Sequence, residues 1–222
     1  HFPREHVYFH HFFVSNRQEL GELLAREGVQ VVFTGHFHAH AITAGLVEWQ
    51  EREAVPGSAK TLGAETRAVD YALPLLEIQS GSLTAPPCPY RVIAIDSNQV
   101  MTVESRFVTA TASHPDDFQE YAAGFYDEQT RGVFSRMIKK ARAGRAVQDN
   151  LAPLMGGALK TKAYGGASVR PGRPERRELS WWGRVMYAGM KIFLRDAYRD
   201  NPPDNLEVRY DLQRSAVCAP AP

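Results

Sequence analysis

The chain has 222 residues, 44% of them apolar and 23% charged, which excludes a disordered or fibrous class and suits one sizeable globular domain with or without an appendage. No apolar run approaches the ~20 residues needed to cross a bilayer, and the first residues lack the charged-then-apolar pattern of a signal segment. The formal charge of +1 conceals an uneven distribution: residues 1–130 carry 8 Lys/Arg against 17 Asp/Glu, residues 131–177 carry 12 against 2, and residues 178–222 carry 6 against 6. The basic middle can dock on the acidic N-terminal part of the chain or on an anionic partner such as lipid, nucleic acid or a phosphorylated substrate.

In chain order, His1 to Phe13 is aromatic and histidine-rich without a clear period. His6 and His10 would share a face if it were helical, and a partly buried surface loop is the plainer reading. Asn16 then reads as the N-cap of a helix over Arg17 to Glu27, with Leu20, Leu23 and Leu24 as its apolar stripe and Gly28 as its stop. Val29 to Phe33 follows as a buried strand, and Gly35 opens a loop that presents His36, His38 and His40. Imidazoles at i and i+2 in an extended loop point to one side, so His36 and His38 can reach one metal ion or two neighbouring ones. In open α/β sheets, ligands gather beyond the C-terminal ends of the strands, which is where this loop falls.

Ala41 to Leu46 reads as a short strand and Glu48 to Asp70, with Pro56 and Gly57, as a long loop. Leu73–Gln79, Tyr90–Asp96 and Gln99–Thr109 read as strands, the last two joined at Ser97-Asn98 in an antiparallel hairpin. Between them, Ser80-Gly81-Ser82 is a turn whose backbone N–H groups can form an anion nest, and Arg91 can contact a phosphate bidentately; their plain readings are a turn and a surface arginine. The two cysteines, Cys88 and Cys218, fit either a bridge or two free thiols.

From Asp116 to Ala143 the pattern is that of one long helix or of two broken near Gly132. Leu151 to Leu159 is weakly helical, and Lys160 to Arg177 reads as a basic linker or exposed loop. Leu179 to Tyr198 reads as a helix with an apolar face and a basic stripe, either buried or lying at a membrane surface with Trp181 and Trp182. The tail from Pro202 reads as irregular.

Two-metal phosphoester hydrolysis needs a clamp about 3.5–4 Å wide, built from histidine, bridging carboxylate and amide ligands. His36 and His38 supply the imidazoles. The carboxylates are not legible: residues 1–35 contain no aspartate, and the chain has no Asp-x-His, Gly-Asp or Gly-Asn-His.

Phe33-Thr34-Gly35-His36-Phe37-His38 resembles the last metal motif, Gly-His-x-His, of the calcineurin-like metallophosphoesterases. Leu76-Glu77-Ile78-Gln79-Ser80-Gly81-Ser82-Leu83, leading to Pro87-Cys88-Pro89-Tyr90-Arg91, is similar to the returning strands of some bacterial members. His1-Phe2-Pro3 looks like the stretch after another of their metal-histidine loops. The resemblance covers residues 1–109 and implies the C-terminal part of a four-layer α/β sandwich; residues 110–222, outside the resemblance, read as a helical extension with a basic linker around 160–178. It also implies two divalent ions (Mn, Fe or Zn), with His36 on one and His38 on the other, and hydrolysis of phosphomonoesters or phosphodiesters by a metal-bound hydroxide. The remaining ligands and catalytic groups are expected upstream of residue 1, so that this chain alone is an inactive portion of such a hydrolase. Two other readings stand beside it: a non-catalytic module whose basic region 131–177 binds an anionic partner, and a mononuclear Zn site formed by His36, His38 and one of His6, His10 or His11.

Overall fold

The computed structural model describes residues 14–36, 38–54, 66–140, 155–157, 159, 160, 162–165, 181, 184, 185, 187–189 and 205–218. They form a mixed α and β structure in which two sheets pack face to face. Helix α1 (Arg17–Arg26) opens the described chain, and the Leu20 N–H donates to the Asn16 carbonyl at 3.0 Å, as a first helical turn requires. Asn16 is the N-cap by position only, because its side chain makes no capping bond. The buried face also differs from the expected leucine stripe: it is centred on Gly21 and Ala25, with Leu23 55% exposed. Small residues let the helix axis lie close to strands β2 and β3, and the bulkier Leu20 and Leu24 flank the contact, half-buried. Arg26 adds a cation–π contact 5.7 Å from the Trp49 ring.

The first sheet has the order β1-β3-β2, from β1 (Val31–Thr34), β2 (Ala41–Ala54) and β3 (Thr66–Gln79). β1 runs parallel to β3 and β2 antiparallel to it. The expected strand over Ala41–Leu46 is present and continues to Ala54, whereas the long loop expected over Glu48–Asp70 is corrected: its ends belong to two 14-residue arms of one hairpin, and only residues 55–65 between them lie outside the described residues. Polar residues misled the pattern here: alternate positions from Ala44 to Gln50 are exposed, and from Glu48 the composition is that of a loop although every position from Ala41 to Ala54 is paired with β3. Trp49 stacks on its cross-strand partner Tyr71 at 5.1 Å between ring centroids.

The second sheet is β4-β5-β6-β7, antiparallel throughout, from β4 (Pro89–Ile95), β5 (Val100–Phe107), β6 (Glu207–Asp211) and β7 (Ala216–Val217). The hairpin between β4 and β5 forms at the expected Ser97-Asn98. Asp96 Oδ1 accepts from the N–H groups of Asn98 and Val100, and Gln99 takes the left-handed conformation (φ +61°) that closes the turn. The irregular tail expected from Pro202 is corrected by β6, which pairs Val208 with Val103 and Tyr210 with Met101. Tail and residues 1–109 therefore share one sheet, and the region after residue 109 is helical only in part.

The core lies between the sheets: Ile42, Leu76 and Ile78 from the first meet Met101, Val103, Val208 and Tyr210 from the second. Burial of these seven residues is the main favourable term holding the sheets together. The edge strands are less well covered. Phe33 pairs with Ile78, and Ile95 with Met101, so both face inward, yet they are 56% and 58% exposed.

Helix α2 (Phe118–Lys140) is continuous through Gly132. Its start is fixed to the sheet loops by Gln119 Nε2, which donates to the carbonyls of Pro87 (3.1 Å) and Val108. Further along, Lys160 pairs with Asp127 at 2.6 Å, and Gly156 lies against Thr130. The described residues from 155 to 163 are helical, so the start of the expected linker at Lys160 belongs to a folded element. Residues 181, 184, 185 and 187–189 are helical as expected; the rest of Leu179–Tyr198 and most of the linker lie outside the described residues. No helix among the described residues is long and apolar enough to cross a membrane.

Candidate functional site

The parallel pairing of β1 with β3 brings together two segments 45 residues apart in sequence. Both strands end at the same edge, where Thr34 pairs with Gln79, the Ser80 N–H donates to the Thr34 carbonyl at 3.0 Å, and Gln79 Nε2 donates to the Gly35 carbonyl at 3.2 Å. The Gly35–His38 loop and the Ser80–Ser82 turn therefore leave the sheet side by side. Just inside this edge, Thr34 Oγ1 donates to Oε1 of the buried Glu77 at 2.6 Å.

His36 and His38 are both exposed, and both have positive φ, +74° and +60°. The loop is thus not the extended segment expected, and the i, i+2 alternation of a strand does not set their directions. Two non-glycine residues in this region within three positions carry a conformational cost of about 1–3 kcal/mol each, a kind of strain that collects at binding and catalytic sites. Among the described residues, no group of three or more His, Cys, Asp or Glu side chains comes together in metal-binding geometry. Two imidazoles alone are short of the ligand set of a dinuclear centre, and His6, His10 and His11 lie outside the described residues.

The groups expected to cradle a phosphate have partners inside the protein. The Ser80 N–H is bonded to Thr34, the Gly81 N–H donates to His40 Nδ1 at 3.2 Å, and Ser82 Oγ accepts from the Thr84 N–H and shares a bond with Thr84 Oγ1. Arg91, half-buried rather than on the surface, donates through Nη1 to Ser105 Oγ (2.9 Å) and the Asn205 carbonyl (2.7 Å), and through Nη2 to the Gln79 carbonyl (3.1 Å).

These bonds converge on His40, which is wholly buried. Its Nε2 lies 2.8 Å from Ser105 Oγ. Because Nδ1 accepts from the Gly81 amide, the neutral ring must carry its proton on Nε2 and donate it to Ser105. Ser105 Oγ then accepts from His40 and Arg91 and donates to the Leu206 carbonyl at 2.5 Å, which uses its full capacity. His40 is consequently no base for Ser105: its only acceptor nitrogen faces a backbone amide. Burial, and secondarily the Arg91 charge, push the imidazole pKa down from 6.5 to about 3, so the ring stays neutral.

Two glycines admit this ring. A Cβ on Gly81 would stand 2.7 Å from Pro89 Cγ and 3.3 Å from His40 Cβ. Gly165 has φ +75°, and a Cβ there would lie 2.9 Å from the His40 carbonyl. The His40 backbone N–H donates to the Lys162 carbonyl at 2.9 Å, and Asn205 Oδ1 accepts from the Ile42 N–H at 2.8 Å, so the helical residues near 162 and the tail both close on this point.

No protein-family model matches the chain, and no curated protein matches it.

Sequence reasoning assigned no separate role to His40 and none to Ser105 or Asn205. His40 was visible as the third histidine of the loop, but its partners at 81, 105 and 162 are far off in sequence and leave no local signal.

Proposed function

We propose that the chain carries the last metal-ligand loop of a calcineurin-like metallophosphoesterase. In this reading the protein hydrolyses phosphomonoesters or phosphodiesters at a pair of Mn, Fe or Zn ions, with His36 and His38 each ligating one. The observation that carries the reading is the pair of left-handed, exposed histidines at the shared C-terminal edge of the parallel strands β1 and β3, a costly conformation at the position where α/β sheets bind ligands. The open flank of the first sheet supports it: β1 pairs with β3 on one edge and with no strand on the other among the described residues, and its inward Phe33 is half uncovered. A further α/β unit pairing along that edge would extend the two packed sheets into the full sandwich and bring the missing carboxylates to the histidine loop. The metals would supply an activated water and neutralise charge on the phosphoryl oxygens.

The test is to express the chain with any residues encoded before His1 and to measure Mn²⁺-dependent hydrolysis of a generic aryl phosphodiester. Activity that falls by about 100-fold or more in His36→Ala and in His38→Ala supports the reading, since each ligand holds an ion the transition state needs. Activity indifferent to both substitutions refutes it.

The basic region favours a second reading. Arg131, Arg136 and Lys139 are exposed along α2 within a stretch carrying 12 basic against 2 acidic residues, and Trp181 is 76% exposed beside the exposed Arg184. Such a surface suits an anionic partner, whose binding should weaken steeply between low and physiological salt. Absence of any binding to anionic vesicles or nucleic acid at low salt would remove this reading.

A further inference from the structure

We propose that the helical segment through Trp181 and Val185 is a membrane-surface anchor that lies in the headgroup region of an anionic bilayer. The inference deepens the second reading above and rests on it: there the basic part of the chain takes an anionic partner, and here that partner is a lipid surface. Trp181 is 76% exposed, more than any other large apolar residue among the described residues. Residues 181, 184, 185 and 187–189 are helical, and at about 100° per residue Trp181, Val185 and Ala188 fall within about 60° of one another. All three are exposed, Val185 to 45%, and Arg184 and Gly189 extend the exposed surface on either side. Tyr187, about 100–160° away from them, is buried, so one side of the helix is held by the protein and the other is presented to solvent.

An ordinary surface helix turns its apolar stripe to the core and its polar stripe to water. Here a tryptophan and a valine stand in water with an arginine beside them, which is the arrangement of a helix lying at a membrane interface. Tryptophan suits that position, because its ring is apolar and its indole N–H bonds to headgroups or water. The stripe is about two turns long and backed by a buried side, which fits a helix in the plane of the interface. Charge selects the kind of membrane. Residues 170–199 carry 8 Lys/Arg against 3 Asp/Glu, and α2 adds the exposed Arg131, Arg136 and Lys139. Each cation held near an anionic lipid surface raises affinity by about five-fold. A nucleic acid would use the charge but not the stripe, because Val185 and Ala188 offer no ring on which a base can stack.

The test is co-sedimentation of the full chain at low salt with vesicles of phosphatidylcholine alone or with about 30% phosphatidylglycerol added, beside a titration with a single-stranded oligonucleotide. The chain should bind the phosphatidylglycerol vesicles about 10-fold or more tightly than the neutral ones. Trp181→Ala should weaken that binding by about 10-fold or more, because the indole supplies much of the apolar area that enters the interface. Arg184→Glu, which reverses a charge at the surface, should weaken it by about 30-fold. Val185→Asp puts a charge on the stripe and should lose about as much as Trp181→Ala. All three positions are exposed, so far-UV circular dichroism should be unchanged. Vesicle binding that is the same in Trp181→Ala and Val185→Asp as in the wild type overturns the proposal, and so does equal binding to neutral and anionic vesicles. Binding to the oligonucleotide but not to vesicles overturns it and leaves the anionic-partner reading intact. Binding to neither removes both.

Discussion

Protonation of His40 should be the main acid-sensitive event in the core. The folded protein holds the imidazole pKa at about 3, against 6.5 in the unfolded chain, because a second ring proton would have to sit against the Gly81 N–H in a buried site beside Arg91. Above pH 6.5 the ring is neutral in both states, and the group contributes no pH dependence. As the pH falls below 6.5 the unfolded chain binds a proton that the folded chain does not, so stability is lost at up to about 1.4 kcal/mol per pH unit until about pH 3. The loss from this group comes to about 2 kcal/mol at pH 5 and about 5 kcal/mol below both pKa values, a large share of a typical domain stability of about 5–15 kcal/mol. The assay is urea unfolding at pH 7.5 and pH 5.0 with EDTA present, for the wild type and for His40→Gln. His40→Gln should start less stable, since it disturbs a saturated hydrogen-bond network, and yet lose about 2 kcal/mol less than the wild type between the two pH values. Equal losses in both proteins would show that His40 does not remain neutral in the folded state, and would refute the tautomer argument built on Gly81 and Ser105.

Asn205→Ala should destabilise the protein by about 1–3 kcal/mol in the same unfolding assay, because the buried Ile42 N–H loses its acceptor; an unchanged midpoint would mean that the tail does not hold the start of β2. Gly81→Ala should cost about 1–3 kcal/mol, since the new Cβ stands 2.7 Å from the Pro89 ring and must displace it or His40. Loss of the downfield-shifted His40 Nε2–H signal in proton NMR would show which of the two gives way, and a neutral result would indicate slack at the turn. Ile78→Ala should cost about 2–5 kcal/mol, because Ile78 is fully buried where the two sheets meet; a cost near that of a surface substitution would place the core elsewhere.

What was legible in the sequence followed from local period and punctuation. Arg17 to Arg26 has a helical pattern ended at Gly28, Val31 to Thr34 is β-branched and apolar, and Asp96 to Gln99 carries its turn in the aspartate side chain that closes it. The start of β2 at Ala41 to Leu46 was legible as a strand, but its continuation from Glu48 was not, because Glu48 and Gln50 on its exposed face break the apolar pattern. The tail was lost for a different reason: β6 needs only Val208 and Tyr210 as inward residues, too few to stand out from coil until β5 is beside them. The candidate site divides along the same line. His36 and His38 were legible as a spacing, but their left-handed backbone was not; the flanking Gly35 and His40 are bonded to residues 79, 81, 105 and 162, which are distant in sequence. The loop's chemistry can therefore be read from six consecutive residues, whereas its geometry is set by contacts that form only when both sheets and the tail have closed. A substitution at Ser105 or Asn205, far from the histidines in sequence, thus falls on residues bonded to His40 and Ile42, which follow the loop directly.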